Sequence, residues 1–593
     1  MSNLMLNLNV LKERFSHVAH KFASFETYPE EDSFTYIERV EQDHEWLQAV
    51  RESVASTECI FIYGFAQGLA IADLLEMYPD RLLYVYEPDI HQFYKTLVNY
   101  DLRDLLNHRN LYYIGIGEDQ LNAVFYMAAI HMQQTLAFVA LRYYLEREMD
   151  VLRGIKSKFE EFQVTYDSNL KTHQFFKEDW VRNALYQMAD MLSSTPIESL
   201  KNVFPNSTAV VVASGPSLKA DIEWINRLYP HALILSAGSS IQALVKHGIR
   251  PHIAVTLDGG PINGKVFSDP RTLEAPLLYA STSYYEITDR KTDHKIHAVM
   301  SNDEVSQYFM GIDKAHTALS PTPTVTGTAI QAAVWMGARR IIMMGQDLSF
   351  PGGQFYADGV EHIDDEKIAS LIEKAPHKVP NVQGSYNQAS DSFIFMKDSL
   401  EKLFEALPGI EIINSTRYGV SLEGTVWKPI EEVYELIRNH EFAADKVAGL
   451  FNGRSWVDED SINLVREKIN TTMNDLVIMK DEMSALGKKM SAIRELSRNK
   501  PAKCQQLIAE IEKAWANIAY REWFSAIYEI VLPLEIAHFD QHQPLIAIEQ
   551  NLIRKADLIH KHLGTLIKQI ESKIPMLKSV FEESIRRIDA INM

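Results

Sequence analysis

A formal net charge of −20 over 593 residues argues against general nucleic-acid binding, which depends on basic surface. Two cysteines cannot form a disulfide framework, no apolar run approaches the ~20 residues that span a bilayer, and the amino terminus lacks the pattern of a secretory signal. We therefore expect a cytoplasmic protein without a membrane partner. The length predicts several domains, and a hydrophobic content of 46% is enough to form their cores.

The first part of the chain, residues 1–165, is predicted to be a small Rossmann-like α/β domain. Residues 59–63 have the pattern of an apolar strand, residues 64–68 form a glycine turn, and residues 82–86 are a second strand that ends at Glu87. A glycine turn followed ~20 residues later by an acidic strand end is typical of dinucleotide or S-adenosylmethionine sites. The third glycine of the dinucleotide fingerprint is missing. The pattern therefore favours an accessory domain over a working cofactor site.

The segment 209–218, AVVVASGPSL, carries the strongest local pattern of the chain. Its continuous apolar run predicts a strand buried on both faces, as in a parallel sheet. Gly215 permits a tight turn, Pro216 suits the first turn of a helix, and Ser217 can cap exposed amides. Such a turn can direct unpaired N–H groups and a positive helix end at an anion. Many strand-to-helix turns look similar, so a purely structural role is the alternative.

Two further strand–turn patterns follow in the same block. Residues 232–237 predict a strand that leads into the turn Gly238-Ser239-Ser240 and then a helix. Residues 253–257 predict the next strand, which ends at Asp258. This alternation of strands and helices is that of consecutive βαβ units, so we expect the strands to lie parallel in one sheet.

A last unit of this kind begins with a turn at Thr326 and Gly327 and continues through an amphipathic helix. The strand 340–344 follows and ends in the sequence Gly-Gln-Asp at 345–347. Ligands of open α/β sheets bind at the carboxyl edge of the strands. Each aspartate alone fits a helix cap or a turn. Together, the strand ends predict one shared site at this edge: Gly215, Gly238, Asp258 and Asp347.

The third part, residues 427–593, is predicted to be helical. Apolar residues keep a seven-residue repeat near its end: Leu552, Ala556, Ile559, Leu563, Leu566 and Ile570. This spacing predicts a helical bundle. Pro501 and Pro533 separate helices, and Pro575 is expected to kink or break the last one. The expected fold class is α/β, with a central Rossmann-like parallel-sheet domain at 166–426 between the smaller amino-terminal α/β domain and this bundle.

Several motifs of the central block occur together: GPSL at 215–218, a strand ending at Asp258, GARR leading to GQDL at 337–348, GGQFYADG at 352–359 and NSTRYGVSLEG at 414–424. On these motifs the block, roughly residues 170–430, resembles the motility accessory factor (Maf) family, bacterial flagellin glycosyltransferases. It is also similar to bacterial sialyltransferases, which use CMP-activated sugars, and to the 6-hydroxymethylpterin diphosphokinase MptE-like family.

The resemblance implies an O-glycosyltransferase that moves a nonulosonic acid, of the pseudaminic or legionaminic type, from its CMP-activated form to serines or threonines of flagellin, in support of flagellum assembly and motility. The implied partners are flagellin and the nucleotide sugar. The apolar stripes of the helical part fit packing within the chain, the interpretation we prefer, and they also fit a docking groove for flagellin. No cofactor is firmly implied. Mg²⁺ is compatible with the resemblance, but a donor with one phosphate does not demand a metal, and no Asp-x-Asp triplet ends a strand.

The candidate site residues follow from the strand ends and the resemblance. The nucleotide sugar is expected to contact the turns and the helix start at the sheet edge: Ser214, Gly215, Pro216, Ser217, Leu218, Gly238, Ser239, Thr326, Gly327 and Gln346. Amides of the turn 215–218 would hold the phosphate charge that develops in the transition state. The candidates for the base that deprotonates the acceptor hydroxyl are Asp258, Asp347 and His362.

Three other functions stay open. The first is a pterin diphosphokinase-like enzyme, which would transfer from a triphosphate and need Mg²⁺. The second is a non-catalytic, nucleotide-binding factor of flagellar assembly. The third is a methyltransferase acting through the amino-terminal domain, in which Glu87 would bind the ribose of S-adenosylmethionine.

Overall fold

The computed structural model describes residues 2–23, 34, 36–38, 44–55, 57, 59–131, 136–362, 365–443, 445–451 and 458–592. The strands before residue 194 are β1 (Cys59–Tyr63), β2 (Leu82–Glu87), β3 (Leu111–Ile116) and β4 (Leu136–Ala140). The helices in this stretch are α1 (Asn3–Arg14), α2 (Ser16–Ala23), α3 (His44–Val54), α4 (Leu69–Met77), α5 (Ile90–Asn99), α6 (Arg103–Leu106), α7 (Leu121–His131), α8 (Arg142–Arg147) and α9 (Met149–Ser193).

The next stretch alternates strands and helices. Its strands are β5 (Thr195–Pro196), β6 (Ser207–Val212), β7 (Leu233–Ala237), β8 (Ile253–Thr256), β9 (Leu277–Ala280), β10 (Lys295–Ala298), β11 (Ala338–Met344), β12 (His377–Pro380), β13 (Tyr386–Ala389), β14 (Glu411–Asn414) and β15 (Val426–Trp427). Its helices are α10 (Leu218–Asp221), α11 (Trp224–Leu228), α12 (Ser240–Lys246), α13 (Pro261–Val266), α14 (Tyr285–Arg290), α15 (Glu304–Met310), α16 (Val325–Trp335), α17 (Asp365–Glu373), α18 (Asp391–Glu405) and α19 (Ile430–Ile437).

The described residues after 437 form helices: α20 (Asp445–Gly449), α21 (Glu459–Asn499), α22 (Pro501–Ala519), α23 (Glu522–Val531), α24 (Pro533–Ile548) and α25 (Leu552–Asp589). Pro501 and Pro533 begin α22 and α24, as predicted. Helix α25 continues through Pro575, so the predicted break does not occur. Ile574 and Leu577, on either side of this proline, are both buried. No described helix is both long and apolar enough for a bilayer crossing.

Packing divides the chain into two compact units. The first contains Met1–Phe175, Asp481–Ile518 and Leu532–Ser572. The second contains Phe176–Lys480, Ala519–Val531 and Lys573–Met593. The helical stretch after residue 427 therefore contributes to both units.

The first unit has a parallel sheet with the strand order β3-β2-β1-β4. Every residue of β1 and β2 is buried, as expected for strands covered on both faces. The observed β1 coincides with the predicted strand, and β2 ends at Glu87 beside the turn that follows β1. The predicted α/β class with parallel strands is confirmed for this unit.

The second unit is built on a larger sheet, in which all neighbouring strands are parallel: β15-β14-β11-β6-β7-β8-β9-β10-β5. The apolar residues of β6 pack into the hydrophobic cores on both faces of this sheet. Ala209 and Val211 belong to the core that includes α16, whereas Val210 and Val212 belong to the core that includes α11, α12 and α19. Alternate side chains of a strand point to opposite faces, so a strand covered by helices on both sides must be apolar throughout.

The strand order places a crevice beside β6. Strands β7 to β10 extend in chain order on one side of β6, whereas β11 and β14 lie on the other side. The loops after β6 and β11 therefore leave the sheet where the chain order reverses. In open α/β sheets this reversal is the usual position of a ligand site.

Candidate functional site

A cavity of about 380 Å³ opens at the carboxyl ends of β6, β7, β8 and β11. The predicted site residues in its wall are Ser214, Gly215, Gly238, Ser239, Asp258, Thr326, Gln346, Asp347 and His362. Four others, Pro216, Ser217, Leu218 and Gly327, are not part of that wall. A cavity of about 440 Å³ lies at the opposite edge of the sheet, beside Asn206, Arg339 and Glu411, and contains none of the predicted site residues.

The amides of the turn after β6 are engaged inside the protein. The donors and acceptors are Gly215 N–H to the Gly345 carbonyl at 2.8 Å, Ser217 N–H to Oδ2 of Asp347 at 3.1 Å, and Leu218 N–H to the Gly215 carbonyl at 3.1 Å. The Ser217 hydroxyl donates to Oδ1 of Asp347. These N–H groups therefore do not face the cavity, whereas the sequence analysis expected them to hold the phosphate of the donor. The turn already contains the acceptor it needs, and the single-turn helix α10 adds little positive potential.

Gly215 is required here because of a close approach rather than an unusual backbone angle. A Cβ at this position would lie 2.6 Å from the Gly345 carbonyl oxygen and even closer to Oδ2 of Asp347. Real Cβ atoms do not approach other atoms at such distances, so any other residue would displace the carboxyl group or the turn.

Asp347 is 3% exposed, and burial raises the pKa of its carboxyl to about 7, although the hydrogen bonds from Ser217 act in the opposite direction. Desolvation therefore outweighs hydrogen bonding at this position. Both oxygens of Asp347 are already used, which suits a positioning role better than proton transfer from an acceptor.

The segment 414–424 holds Gln346 and Asp347 in place through hydrogen bonds to their backbone groups. The Gln346 N–H donates to the Thr416 hydroxyl at 3.0 Å, and the Val420 N–H donates to the Asp347 carbonyl at 3.0 Å. The Tyr418 N–H donates to the Ser217 hydroxyl at 3.0 Å. This closing segment thus connects the turns after β6 and β11.

Asp258 and His362 lie in another part of the cavity wall, with Tyr356 and Lys265 nearby. Asp258 is open to the cavity, yet the surrounding protein atoms reduce its solvation and raise the pKa of its carboxyl. His362 has a lowered pKa because of burial and the Lys265 charge, so its ring is neutral at pH 7. Its Nε2 lies 3.5 Å from the Tyr356 hydroxyl, and its buried Nδ1 has no hydrogen-bond partner within the described part of the chain.

The wall residues that the sequence reasoning did not propose include two polar side chains, Tyr356 and Asn263. Tyr356 lies in the glycine-rich loop 352–359, and burial followed by the Asp258 charge raises its pKa to about 12. Asn263 donates from Nδ2 to the Thr256 hydroxyl at 2.7 Å and to the Asp258 carbonyl at 2.9 Å, which fixes the loop that carries Asp258. Tyr356 could have been proposed from that loop motif, whereas Asn263 has no local signal.

Helix α16 also begins at the cavity, and it is longer than the single-turn helix α10. Thr324 caps it by accepting from the Gly327 N–H at 3.0 Å, and Thr324, Val325 and Thr326 all line the cavity. The Thr326 hydroxyl donates to Oε1 of Gln346 at 2.6 Å. The first amides of a helix have no partner within the helix, so an 11-residue helix that begins at the cavity offers positive potential there.

In the first unit, the amides of the glycine turn also donate hydrogen bonds to a carboxyl group of the chain itself. Oε2 of Glu87 accepts from the Phe65 and Ala66 amides at 2.7 and 3.3 Å. Its Oε1 accepts from the Tyr144 hydroxyl and the Asp89 amide at 2.7 and 2.9 Å. With both oxygens engaged, Glu87 is poorly placed to bind a ribose, which argues against the methyltransferase.

Glu38 completes this arrangement at the start of α4. Its carboxyl oxygens accept from the amides of Gln67, Leu69 and Ala70 at 2.9–3.0 Å. Burial raises the pKa of Glu38 and of Glu87 despite these hydrogen bonds. The helix end that would face a cofactor phosphate in a dinucleotide site is thus capped by the chain itself.

Comparisons with known proteins agree with this architecture. Residues 182–353 match the family model described as 6-hydroxymethylpterin diphosphokinase MptE-like. An uncharacterized protein of Treponema pallidum (strain Nichols) is 25% identical over 164 residues, which are 27% of this chain and 55% of that protein, so the chain spans about half the length of this curated relative.

Among solved structures, the Maf glycosyltransferase from Magnetospirillum magneticum AMB-1 is similar with a TM-score of 0.58 and 14% identity, and the match covers 99% of each chain. The predicted α/β fold with parallel sheets and a helical carboxy-terminal region is confirmed. The resemblance inferred from the motifs is confirmed at the level of the fold.

The close approach of Gly215 to Asp347 predicts a specific loss of stability. We expect Gly215→Ala to lower the free energy of unfolding by about 2–4 kcal/mol, because the added methyl group displaces the carboxyl and leaves turn amides unpaired. The measurement is denaturant unfolding followed by circular dichroism. Gly449→Ala, in the same unit and with no atom within 4 Å of the added Cβ, is the control and should change stability by less than about 1 kcal/mol. Equal effects of the two substitutions would contradict the assignment.

The raised pKa of Asp347 predicts a pH-dependent stability. The folded pKa of about 7 lies above the unfolded value near 4, so this group contributes stability below pH 4 that is lost as the pH rises to 7. We expect the difference in unfolding free energy between the wild type and Asp347→Asn to fall across that range and then level off. Asp358→Asn, which removes an exposed carboxyl whose pKa Lys219 lowers, should leave the profile unchanged between pH 5 and 8. A flat difference for Asp347→Asn would disprove the raised pKa.

Proposed function

We propose that this protein is a glycosyltransferase that moves a nonulosonic acid from its CMP-activated form to serine or threonine hydroxyls of flagellin. The observation that carries the proposal is the likeness in fold, over the whole chain, to a Maf glycosyltransferase. The polar cavity at the reversal of strand order supplies a site of suitable position and chemistry.

The donor carries two anionic groups next to the bond that breaks, a phosphate and the sugar carboxylate. In our proposal, the start of α16 holds the phosphate, with hydroxyls from Ser214 and Ser239, whose Oγ atoms lie 2.9 Å apart. Lys265 and His362 provide donors for the sugar carboxylate. Fixed dipoles that stabilise the departing phosphate are usually worth several kcal/mol in a site that excludes water.

We assign the base to Asp258. Its carboxyl is open to the cavity and has a raised pKa, two properties that favour removal of a proton from an acceptor hydroxyl near neutral pH. Asp347 instead fixes the turn after β6 through Ser217. Asp258 and Asp347 would also have to be the ligands of a Mg²⁺ ion at this edge. Because Asp347 is engaged by Ser217, the two residues fit such an ion poorly, and we derive no step through it.

The test is intact-mass analysis of flagellin co-expressed with this protein and a CMP-nonulosonate pathway. We expect added mass equal to whole sugar residues with the wild type. We expect roughly 100-fold or greater loss of the transfer rate with Asp258→Asn, because base catalysis typically contributes ~10² to 10⁴-fold. Asp358→Asn, an exposed carboxylate paired with Lys219, is the matched control and should transfer normally. Unmodified flagellin with the wild type, together with weak CMP binding, would favour a non-catalytic assembly factor.

A pterin diphosphokinase-like activity is the second candidate, because the matching family model covers 182–353. It is tested by incubating the protein with a 6-hydroxymethylpterin, ATP and Mg²⁺ and by detecting the diphosphate ester by mass spectrometry. We expect no product, and we expect sugar transfer to continue in the presence of a chelator. Pterin diphosphate formation that EDTA abolishes would replace the glycosyltransferase proposal.

A further inference from the structure

Three histidines of the first unit lie together at the packing of α24 against α25. His538 and His542 are one helical turn apart on α24, and His562 belongs to α25. The ligand nitrogens of the three rings lie within 4.8 Å of one another. Histidines at i and i+4 on one helix face are a recurrent way to supply two metal ligands. A third histidine from a neighbouring helix completes the set found in many zinc sites.

Two of the three rings are stacked, and the third is tilted against them. The ring centroids of His542 and His562 are 3.8 Å apart with an interplanar angle of 18°, and those of His538 and His542 are 4.5 Å apart. Three imidazoles around one tetrahedral zinc ion have nitrogens about 3.3 Å apart, given Zn–N distances near 2.0–2.1 Å. Side-chain rotations that unstack His542 and His562 and shorten the separations between the nitrogens would close the cluster around an ion.

The hydrogen bond of His542 resembles the support that metal-bound histidines receive. Its Nδ1 lies 2.7 Å from the carbonyl oxygen of His538 on its own helix. With the proton on Nδ1, this bond fixes the ring and leaves the lone pair on Nε2 for a ligand.

His562 is the buried member and has an unsatisfied polar atom. Its side chain is 3% exposed, and its Nδ1 has no hydrogen-bond partner among the described residues. A buried ring nitrogen without a hydrogen-bond partner is costly unless a ligand satisfies it.

We propose that His538, His542 and His562 bind one zinc ion that joins α24 to α25. An all-imidazole set favours zinc and its borderline neighbours over Mg²⁺ or Ca²⁺, which prefer oxygen ligands. His538 is exposed, so the fourth position is open to water.

The role that fits this position is structural. Helix α24 packs against α7, and its Leu545 and Ile548 contact the hydrophobic core around the first unit's sheet. An ion shared by α24 and α25 would thus hold α24 in a fixed register with residues 552–572 of α25, the part of that helix that belongs to the first unit. Metal binding to the folded state alone raises stability in proportion to the logarithm of the free metal concentration.

The test uses the full-length protein without an affinity tag, dialysed against EDTA and then titrated with zinc chloride. We expect one zinc per chain by calorimetry and elemental analysis, and a melting temperature that rises with the free zinc concentration. His538→Ala removes an exposed ligand and should fold normally, yet should weaken zinc binding at least about 100-fold, beyond the ~10 to 100-fold loss typical of outer-shell changes. His542→Ala should behave in the same way.

The matched control is His560→Ala, which removes a histidine of α25 outside the cluster and should bind zinc as the wild type does. Cobalt substitution gives an independent readout, since a tetrahedral nitrogen-ligated Co²⁺ ion has visible absorption bands that the two cluster variants should lose. Wild-type protein without stoichiometric zinc, or a control variant that weakens binding as much as His538→Ala, would overturn the proposal.

Discussion

Carboxyl groups of the chain itself accept hydrogen bonds from the N–H groups of the turns between strand and helix, and those amides are therefore not available to a ligand. In the second unit, Asp347 accepts from the backbone and the side chain of Ser217. In the first unit, Glu87 and Glu38 accept from the amides around the glycine turn. A turn that would otherwise attract a phosphate is thereby neutralised from within. The cost is desolvation, which raises the pKa of all three acids.

This constraint distinguishes the polar groups that the two units leave open to a ligand. The first unit has the strand order β3-β2-β1-β4, but its helix start is capped by Glu38, and Glu87 at the end of β2 is engaged within the chain. The second unit has an open cavity whose other polar groups include the start of α16, the hydroxyls of Ser214 and Ser239, and the side chains of Asp258, Tyr356 and His362. Our proposal places the donor sugar there, with the turn after β6 acting as a rigid wall rather than as the phosphate cradle.

The sequence predicted the strands and their carboxyl edge well, because buried parallel strands leave continuous apolar runs such as 209–212 and because strand ends carry glycine or aspartate. It did not predict where the turn amides point. That depends on Asp347, which lies 130 positions after Ser217, and no local pattern reports such a contact. The cluster of three histidines was not predicted for the same reason: His562 is distant in sequence from the pair on α24, and no local pattern connects them. Local patterns likewise did not indicate that the terminal helices contribute to both units.

The contact between Gly215 and Asp347 also has an evolutionary consequence. A side chain at the first position and a carboxyl at the second compete for the same space, so neither can change alone without harm. Loss of the acid alone would not release the glycine, because a Cβ at position 215 would still lie 2.6 Å from the Gly345 carbonyl oxygen. Aligned homologues should therefore keep the glycine even where the acid varies, whereas an acid without the glycine should be absent.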